Sequence, residues 1–156
     1  MNALTLRGDA GASSVMLPSL RAKALHAVSI DSDGQLMLFN NGLGSLNQPA
    51  GTAAGETRGY SAVSAYAIDP VALTAQEVWN FDYGKSLYSS VCSSAYEAGG
   101  KSLLLNYAYT DAGATAHVVG LDANHAVVFD IRYDSPVGCG ASWNAVPVPF
   151  ERLSFQ

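Results

Sequence analysis

The sequence predicts an all-β protein, a partial β-propeller of about two four-stranded antiparallel blades plus flanking strands. Three observations lead there: short apolar runs separated by turn residues, few helix signals, and a four-strand pattern that occurs twice along the chain. A β-sandwich also has many short strands with turn signals. It does not require the four-strand unit to recur, so the propeller is favoured.

The first predicted blade covers residues 24–82. Its apolar runs are rich in β-branched and aromatic residues, which favour strands. Asn41-Gly42 is a strong turn dipeptide after the second run, and Asp69-Pro70 ends the third. Asp31 and Asp33 are interpreted as turn formers, because the other ligand positions of a calcium loop are missing. Strands are therefore expected at residues 24–30, 35–40, 60–68 and 76–81.

The second predicted blade covers residues 88–132 and echoes the first. Tyr66–Asp69 followed by Val78–Asp82 is matched by Val118–Asp122 followed by Val127–Asp130. The same patterns predict strands at residues 91–96, 102–107, 115–121 and 125–131. Residues 1–23 are expected to form a lead-in strand or loop. Residues 142–156 are expected to be a closing extended segment, better suited to a sheet edge because it contains prolines.

Charge and hydropathy exclude several classes of partner. The net charge is −5, and the eight basic residues form no run or stripe, which argues against nucleic acid and an anionic membrane surface. No apolar segment approaches the ~20 residues of a membrane span. Cys92 and Cys139 match no zinc or redox spacing, and neither a metal nor a cofactor is expected. Two buried thiols are the simpler interpretation, and a disulfide is expected only in an oxidising compartment.

Several short motifs follow one another in order between residues 24 and 110. They are Leu25-His26-Ala27-Val28, Phe39-Asn40-Asn41-Gly42, Tyr60-Ser61, Tyr66-Ala67-Ile68-Asp69, Glu77-Val78-Trp79 and Tyr88-Ser89. This ordered set resembles the C-terminal blades of bacterial arylsulfotransferases (aryl-sulfate sulfotransferases). The corresponding segments of that family are a histidine strand, F-D-N-G, Y-S-R, Y-x-I-D, Q-x-W-E-Y and Y-S-P-x-T-S.

The resemblance implies a function and a location. The family consists of six-bladed propellers exported from the cytoplasm, so a periplasmic or secreted protein is expected. Its members move a sulfuryl group from a phenolic sulfate donor to a phenol acceptor through a histidine, without a nucleotide donor. By position, His26 resembles the catalytic nucleophile, and a neutral imidazole is a competent nucleophile near pH 7. Ser93, Tyr60 and Tyr88 are the expected substrate-binding residues.

The sequence also departs from the family pattern. Ala62 replaces the arginine of Y-S-R, and Cys92 replaces the threonine of Y-S-P-x-T-S. About two blades are too few for a closed propeller of ~4–8 blades, so the remaining blades or further copies of the chain are expected partners. Two hypotheses stay open: a fragment of an arylsulfotransferase, and a non-catalytic propeller piece that acts as a scaffold or self-assembling binding module.

Overall fold

The fold is seen in a computed structural model that describes residues 4–7, 16–17, 25–44, 57–137, 139, 142–149 and 152–154. Within these ranges the chain forms ten strands, arranged in two sheets, and three short 3-10 turns. The all-β prediction is confirmed. The two sheets do not close a ring, so the chain is a partial propeller.

The first sheet is built on a four-stranded antiparallel meander. Its strands are β3 (Leu25–Ile30), β4 (Leu36–Asn40), β5 (Ala62–Asp69) and β6 (Thr74–Phe81). Two shorter strands, β1 (Leu4–Arg7) and β2 (Met16–Leu17), extend it to six in the order β2-β1-β6-β5-β4-β3. Strand β1 runs parallel to β6. A parallel neighbour was not part of the sequence-based expectation.

The second sheet is a four-stranded antiparallel meander of order β10-β9-β8-β7. Its strands are β7 (Ser94–Glu97), β8 (Leu103–Thr110), β9 (Thr115–Leu121) and β10 (Val127–Asp134). Each of the eight predicted strands overlaps an observed one. The repeated four-strand unit therefore exists as two antiparallel meanders, β3–β6 and β7–β10, as the sequence pattern predicts.

The two sheets pack face to face around one apolar core. Phe39 of β4 meets Tyr107 of β8 edge to face, with ring centroids 5.0 Å apart, and both are fully buried. Strand β3 of the first sheet also contacts strand β7 of the second. The Ser29 hydroxyl on β3 donates to the carbonyl oxygen of Ala95 on β7 at 3.1 Å. The buried core draws on both sheets: Met37, Phe39, Val63, Ala95, Leu103, Leu105, Tyr107, Val119 and Leu121.

The outer faces of this pair carry exposed apolar side chains. On β3, Val28 and Ile30 are 53% and 64% exposed. On β10, Phe129 and Ile131 share one face of the strand and are 41% and 57% exposed. A blade inside a closed propeller has both faces covered, so these surfaces resemble blade faces without a neighbour.

The closing segment docks through hydrogen bonds that involve side chains. Residues 142–149 and 152–154 contain no strand. Ser142 donates to Asn106 Oδ1 at 2.7 Å, and the Ala145 N–H donates to the Ser94 hydroxyl at 3.1 Å. This segment therefore contacts β7 and β8 without adding to their backbone ladder.

Two hairpins use the same aspartate turn. Asp31 Oδ1 accepts from the N–H groups of Asp33 and Gln35, at 3.0 and 2.8 Å. Asp122 Oδ1 accepts from the N–H groups of Asn124 and Ala126, at 2.8 and 2.9 Å. Asp31 is thus a turn former, as predicted from the sequence.

The Asp122 turn should respond to acid. Hydrogen bonds from the Ala126 and Asn124 N–H groups hold the pKa of Asp122 below its ordinary value of 3.8. A depressed folded-state pKa stabilises the fold above the unfolded-state pKa, and this contribution is lost as pH falls through the folded value. We expect Asp122→Asn to flatten the fall of unfolding free energy as the pH is lowered from about 5 through the folded-state pKa, measured by urea denaturation. A carboxyl chemical shift of Asp122 that titrates at or above 3.8 would contradict this.

Gly42 is required by both conformation and space. Its φ is +84°, and a Cβ there would collide with the carbonyl oxygen of Tyr60. Gly34 has a similar φ of +77° but open space around the Cβ position. We expect Gly34→Ala to lower the unfolding free energy by about 1 kcal/mol and Gly42→Ala by about 3 kcal/mol, since the second also forces the backbone to shift. Equal losses in chemical denaturation would show that the close approach is absent.

Candidate functional site

Several of the family-like motifs meet at one end of the first sheet. In the register of β3 and β4, Leu25 lies opposite Asn40 and His26 opposite Phe39. Asn40 in turn lies opposite Ala62, the first residue of β5. The histidine strand, the Asn41-Gly42 turn and the Tyr60-Ser61 motif therefore meet at this end. The side chain of His26 lies outside the described part of the structure.

His26 directly precedes an irregularity in its strand. The register between β3 and β4 shifts between His26 and Ser29, and Ala27 has a φ of +48°. A β-bulge of this kind re-aims neighbouring side chains and is common beside active sites. The backbone around His26 is thus of a type often found at functional positions.

Asn41 ties the first sheet to the segment that enters the second. Its side chain is fully buried, and its Nδ2 donates to the carbonyl oxygens of Ser89 and Cys92, at 2.7 and 3.1 Å. The two acceptors lie in the loop before β7. One amide side chain therefore holds this loop against the turn that follows β4.

Ser61 brings the two tyrosine–serine motifs side by side. The Ser61 hydroxyl donates to the Ser89 carbonyl at 3.0 Å and accepts from the Ser89 N–H at 2.9 Å. The Ser61 N–H donates to the carbonyl oxygen of Leu87 at 2.9 Å. Tyr60 and Tyr88, each half-buried, are therefore carried on adjacent segments.

Ser93 continues these contacts into the second sheet. Its hydroxyl lies 2.8 Å from that of Ser89 and accepts from the Ala108 N–H at 3.1 Å. The Ser89 hydroxyl accepts from the Tyr109 N–H at 2.9 Å. Ser93 is buried, and its hydroxyl is engaged with β8 in this arrangement. We call Asn41, Ser61, Ser89 and Ser93 the motif network.

A disulfide lies next to the motif network. Cys92 bonds to Cys139, with Cα atoms 6.2 Å apart. The simpler sequence interpretation, two buried thiols, is therefore wrong. The separation of 47 residues between the two cysteines does not indicate a disulfide, because only the folded chain brings the two sulfur atoms together. Cys92 is buried, and its sulfur presents no thiol to the site.

Two cationic side chains near the motif network, Arg58 and Lys85, were not predicted from the sequence. The Arg58 guanidinium carbon lies 4.7 Å and the Lys85 amine 5.6 Å from the centroid of the Tyr60 ring. Ala62, where the family motif has an arginine, is buried and apolar. In the sequence, only the position of Arg58, four residues before Ala62, could have suggested that it replaces the missing arginine. The sequence gives no such indication for Lys85, because its position near Tyr60 depends on the turn after β6.

The other two histidines make structural contacts. His117 Nδ1 lies 2.8 Å from Asp130 Oδ1, and the Tyr83 hydroxyl donates to Asp130 Oδ2 at 2.8 Å. This second hydrogen bond raises the pKa of Tyr83. The His125 ring lies over Trp79, with centroids 4.5 Å apart. The His117 side chain is only 13% exposed, so its ring is largely covered.

The described ranges hold neither a candidate metal centre nor a membrane-spanning helix. Those residues contain no group of three or more His, Cys, Asp or Glu side chains that could hold a metal ion. The helices among them are too short and too polar to cross a membrane.

Comparison with known families decides the family. A family model described as arylsulfotransferase (ASST) matches residues 22–140. The chain belongs to the arylsulfotransferase family. No curated protein matches the chain. The family match spans His26, the motif network and both cysteines, which confirms the recognition made from the ordered motifs. It supports an arylsulfotransferase-like function in general and phenolic compounds as substrates.

Removing the Asn41 side chain should weaken the fold strongly. Asn41→Ala removes one hydrogen bond from each of the Ser89 and Cys92 carbonyl oxygens, and only the Ser89 oxygen keeps another donor, Ser61, so we expect the unfolding free energy to fall by about 2 kcal/mol. Asn144 makes a single exposed hydrogen bond to Tyr96, and Asn144→Ala should change stability by less than about 0.5 kcal/mol. Urea denaturation of both variants checks this. A similar small loss for both would contradict the role of Asn41.

The disulfide should contribute measurably to stability under oxidising conditions. It closes a loop with a sequence separation of 47, and such loops are worth roughly 2–4 kcal/mol. We expect Cys139→Ala to lower the unfolding free energy by about 3 kcal/mol in the absence of reductant. With dithiothreitol present, the parent chain should fall to the level of this variant. Insensitivity of the parent to reductant would show that the bridge is not formed.

Proposed function

We propose that this chain takes part in sulfuryl transfer between phenols, with His26 as the residue that carries the group. The family match over residues 22–140 carries the proposal, because the matched range contains His26, whose motif resembles the histidine strand of that family. The register shift just after His26 supports a special role for this position. Ser93, Tyr60 and Tyr88 are proposed to line the same site.

The proposed reaction has two displacements at sulfur. First, a neutral imidazole nitrogen of His26 attacks the sulfur of an aryl sulfate. The bond from sulfur to the aryl oxygen breaks, and the phenolate leaves and takes a proton from solvent. Next, a second phenol loses its proton and attacks the same sulfur. The nitrogen–sulfur bond breaks, and the imidazole is neutral again. Donors that surround the sulfuryl oxygens would lower both barriers.

The site is proposed to be completed by further blades. The exposed apolar side chains of β3 and β10 support this, because two sheets leave two blade faces uncovered. Those blades would come from a longer chain or from further copies of this one. A periplasmic or secreted location is proposed on the same family grounds. The Cys92–Cys139 disulfide supports it, since such bonds persist in oxidising compartments.

Intact-mass measurement tests the proposed transfer. The chain is incubated near neutral pH with 4-nitrophenyl sulfate, and its mass is recorded under native conditions while released nitrophenol is followed by absorbance. Where copies of the chain complete the site, we expect a mass gain of one SO3 group that is lost in His26→Ala. His117→Ala and His125→Ala are matched controls, and both should keep the adduct. An adduct that survives in His26→Ala would place the nucleophile elsewhere. No adduct and no nitrophenol would contradict activity of this chain.

A second function, a non-catalytic scaffold, is favoured by one set of observations. Ala62 is buried and uncharged where the family has a cation, and the Ser93 hydroxyl is bonded to the β8 backbone. In this alternative the chain keeps the blade packing and binds other blades through its exposed faces. Analytical ultracentrifugation separates the possibilities for assembly. A stable monomer at high concentration would count against self-assembly, and measurable sulfuryl transfer would count against the scaffold.

A further inference from the structure

Arg58, Tyr60 and Lys85 form a cationic cluster at the motif end of the first sheet. Arg58 precedes β5, and Lys85 lies in the turn after β6, so two separate segments bring positive charge to one ring. Their charged groups lie 4.7 and 5.6 Å from the Tyr60 centroid, which is the range of a cation–π interaction. The two charges are therefore no more than 10.3 Å apart.

The position of Arg58 is fixed by the turn beside it. The Arg58 N–H donates to the Gly42 carbonyl at 2.7 Å, and Gly42 also packs closely against Tyr60. Gly42 follows Asn41, which belongs to the motif network. The cluster is thus held by the same elements that carry the family-like motifs, at the same sheet end as the His26 backbone.

The positive charge of the cluster is not neutralised within the described part of the chain. The ion pairs found there involve Lys101, His117 and Arg132, and none joins Arg58 or Lys85 to a carboxylate. Arg58 Nη2 is buried and has no hydrogen-bond partner. A buried, unpaired guanidinium N–H is costly, and an anionic oxygen is the partner that suits it best.

We propose that Arg58 and Lys85 bind the sulfate group of an aryl sulfate, with the Tyr60 ring holding the two cations in place. A sulfate monoester is an anion at neutral pH, and it presents three oxygens that guanidinium and ammonium groups recognise. Arg58 then supplies the positive charge that Ala62 lacks, from four residues earlier in the chain. This assignment rests on the function proposed above, because it names the substrate-binding cations of that site.

Calorimetric titration with phenyl sulfate tests the assignment on the full chain. We expect Arg58→Gln to weaken binding about tenfold and Lys85→Gln about threefold, since charge-assisted hydrogen bonds are lost. Lys101→Gln is the matched control: Lys101 pairs with Asp33 at the opposite sheet end, and its loss should leave binding unchanged. Titration with phenol, which lacks the sulfate, should give the same result in the parent and in all three variants.

The exposed Lys85 keeps the test valid if Arg58→Gln fails to fold, which thermal unfolding would reveal. Unchanged phenyl sulfate binding in both variants, or none in the parent chain, would overturn the assignment. Adding His26→Ala separates the two proposals. If phenyl sulfate binding depends on Arg58 but no adduct forms on His26, the sulfate-binding role of the cationic cluster is supported and the proposed sulfuryl transfer is contradicted. If an adduct forms on His26 but phenyl sulfate binding is unchanged in the Arg58 and Lys85 variants, the transfer is supported and the sulfate-binding role of the cluster is contradicted.

Discussion

The structure depends on a buried polar connection between two sheets. A face-to-face pair of β-sheets can slide or tilt, because apolar packing is not directional. The motif network removes this freedom: Asn41 holds the carbonyl groups of Ser89 and Cys92, and Ser89 and Ser93 hold the amides that follow Tyr107. Such hydrogen bonds are strongly geometry-dependent, and leaving any of them unmade in the interior is expensive. The network thus sets how the second sheet sits on the first.

This arrangement gives the family-like motifs a physical meaning. Asn41, Ser61 and Ser89 come from three different motifs, yet they contact one another in the folded chain. Many of the motif residues therefore specify how adjacent blades pack. Fewer of them are proposed to take part in sulfuryl transfer. The same packing brings Arg58 and Lys85 to Tyr60, which is how a chain with Ala62 can still present positive charge at this end. Structure and proposed function share one set of constraints.

Local features were the ones that the sequence could predict. Strand β9 was predicted with its observed bounds, Thr115–Leu121, because alternation and the turn residues on either side are local signals. The Asp31 turn was predicted for the same reason. The parallel pairing of β1 with β6 and the Cys92–Cys139 bond were not, since both join residues distant in sequence. In the proposed site, the ordered motifs drew attention to His26 and the tyrosine–serine pairs. The convergence of Arg58 and Lys85 on Tyr60 is visible only in the folded chain.

Native-state hydrogen exchange tests the role of the motif network most directly. The Ser89, Ala108 and Tyr109 amides donate to the buried hydroxyls of the network and lie outside the paired backbone ladder or at its irregular part. If the network holds the sheets together, these amides exchange only through global unfolding, as slowly as core amides of β8 and β9. Exchange at the rate of the exposed turn amides, with the β8 and β9 core still protected, would show that the two sheets are held by apolar contact alone.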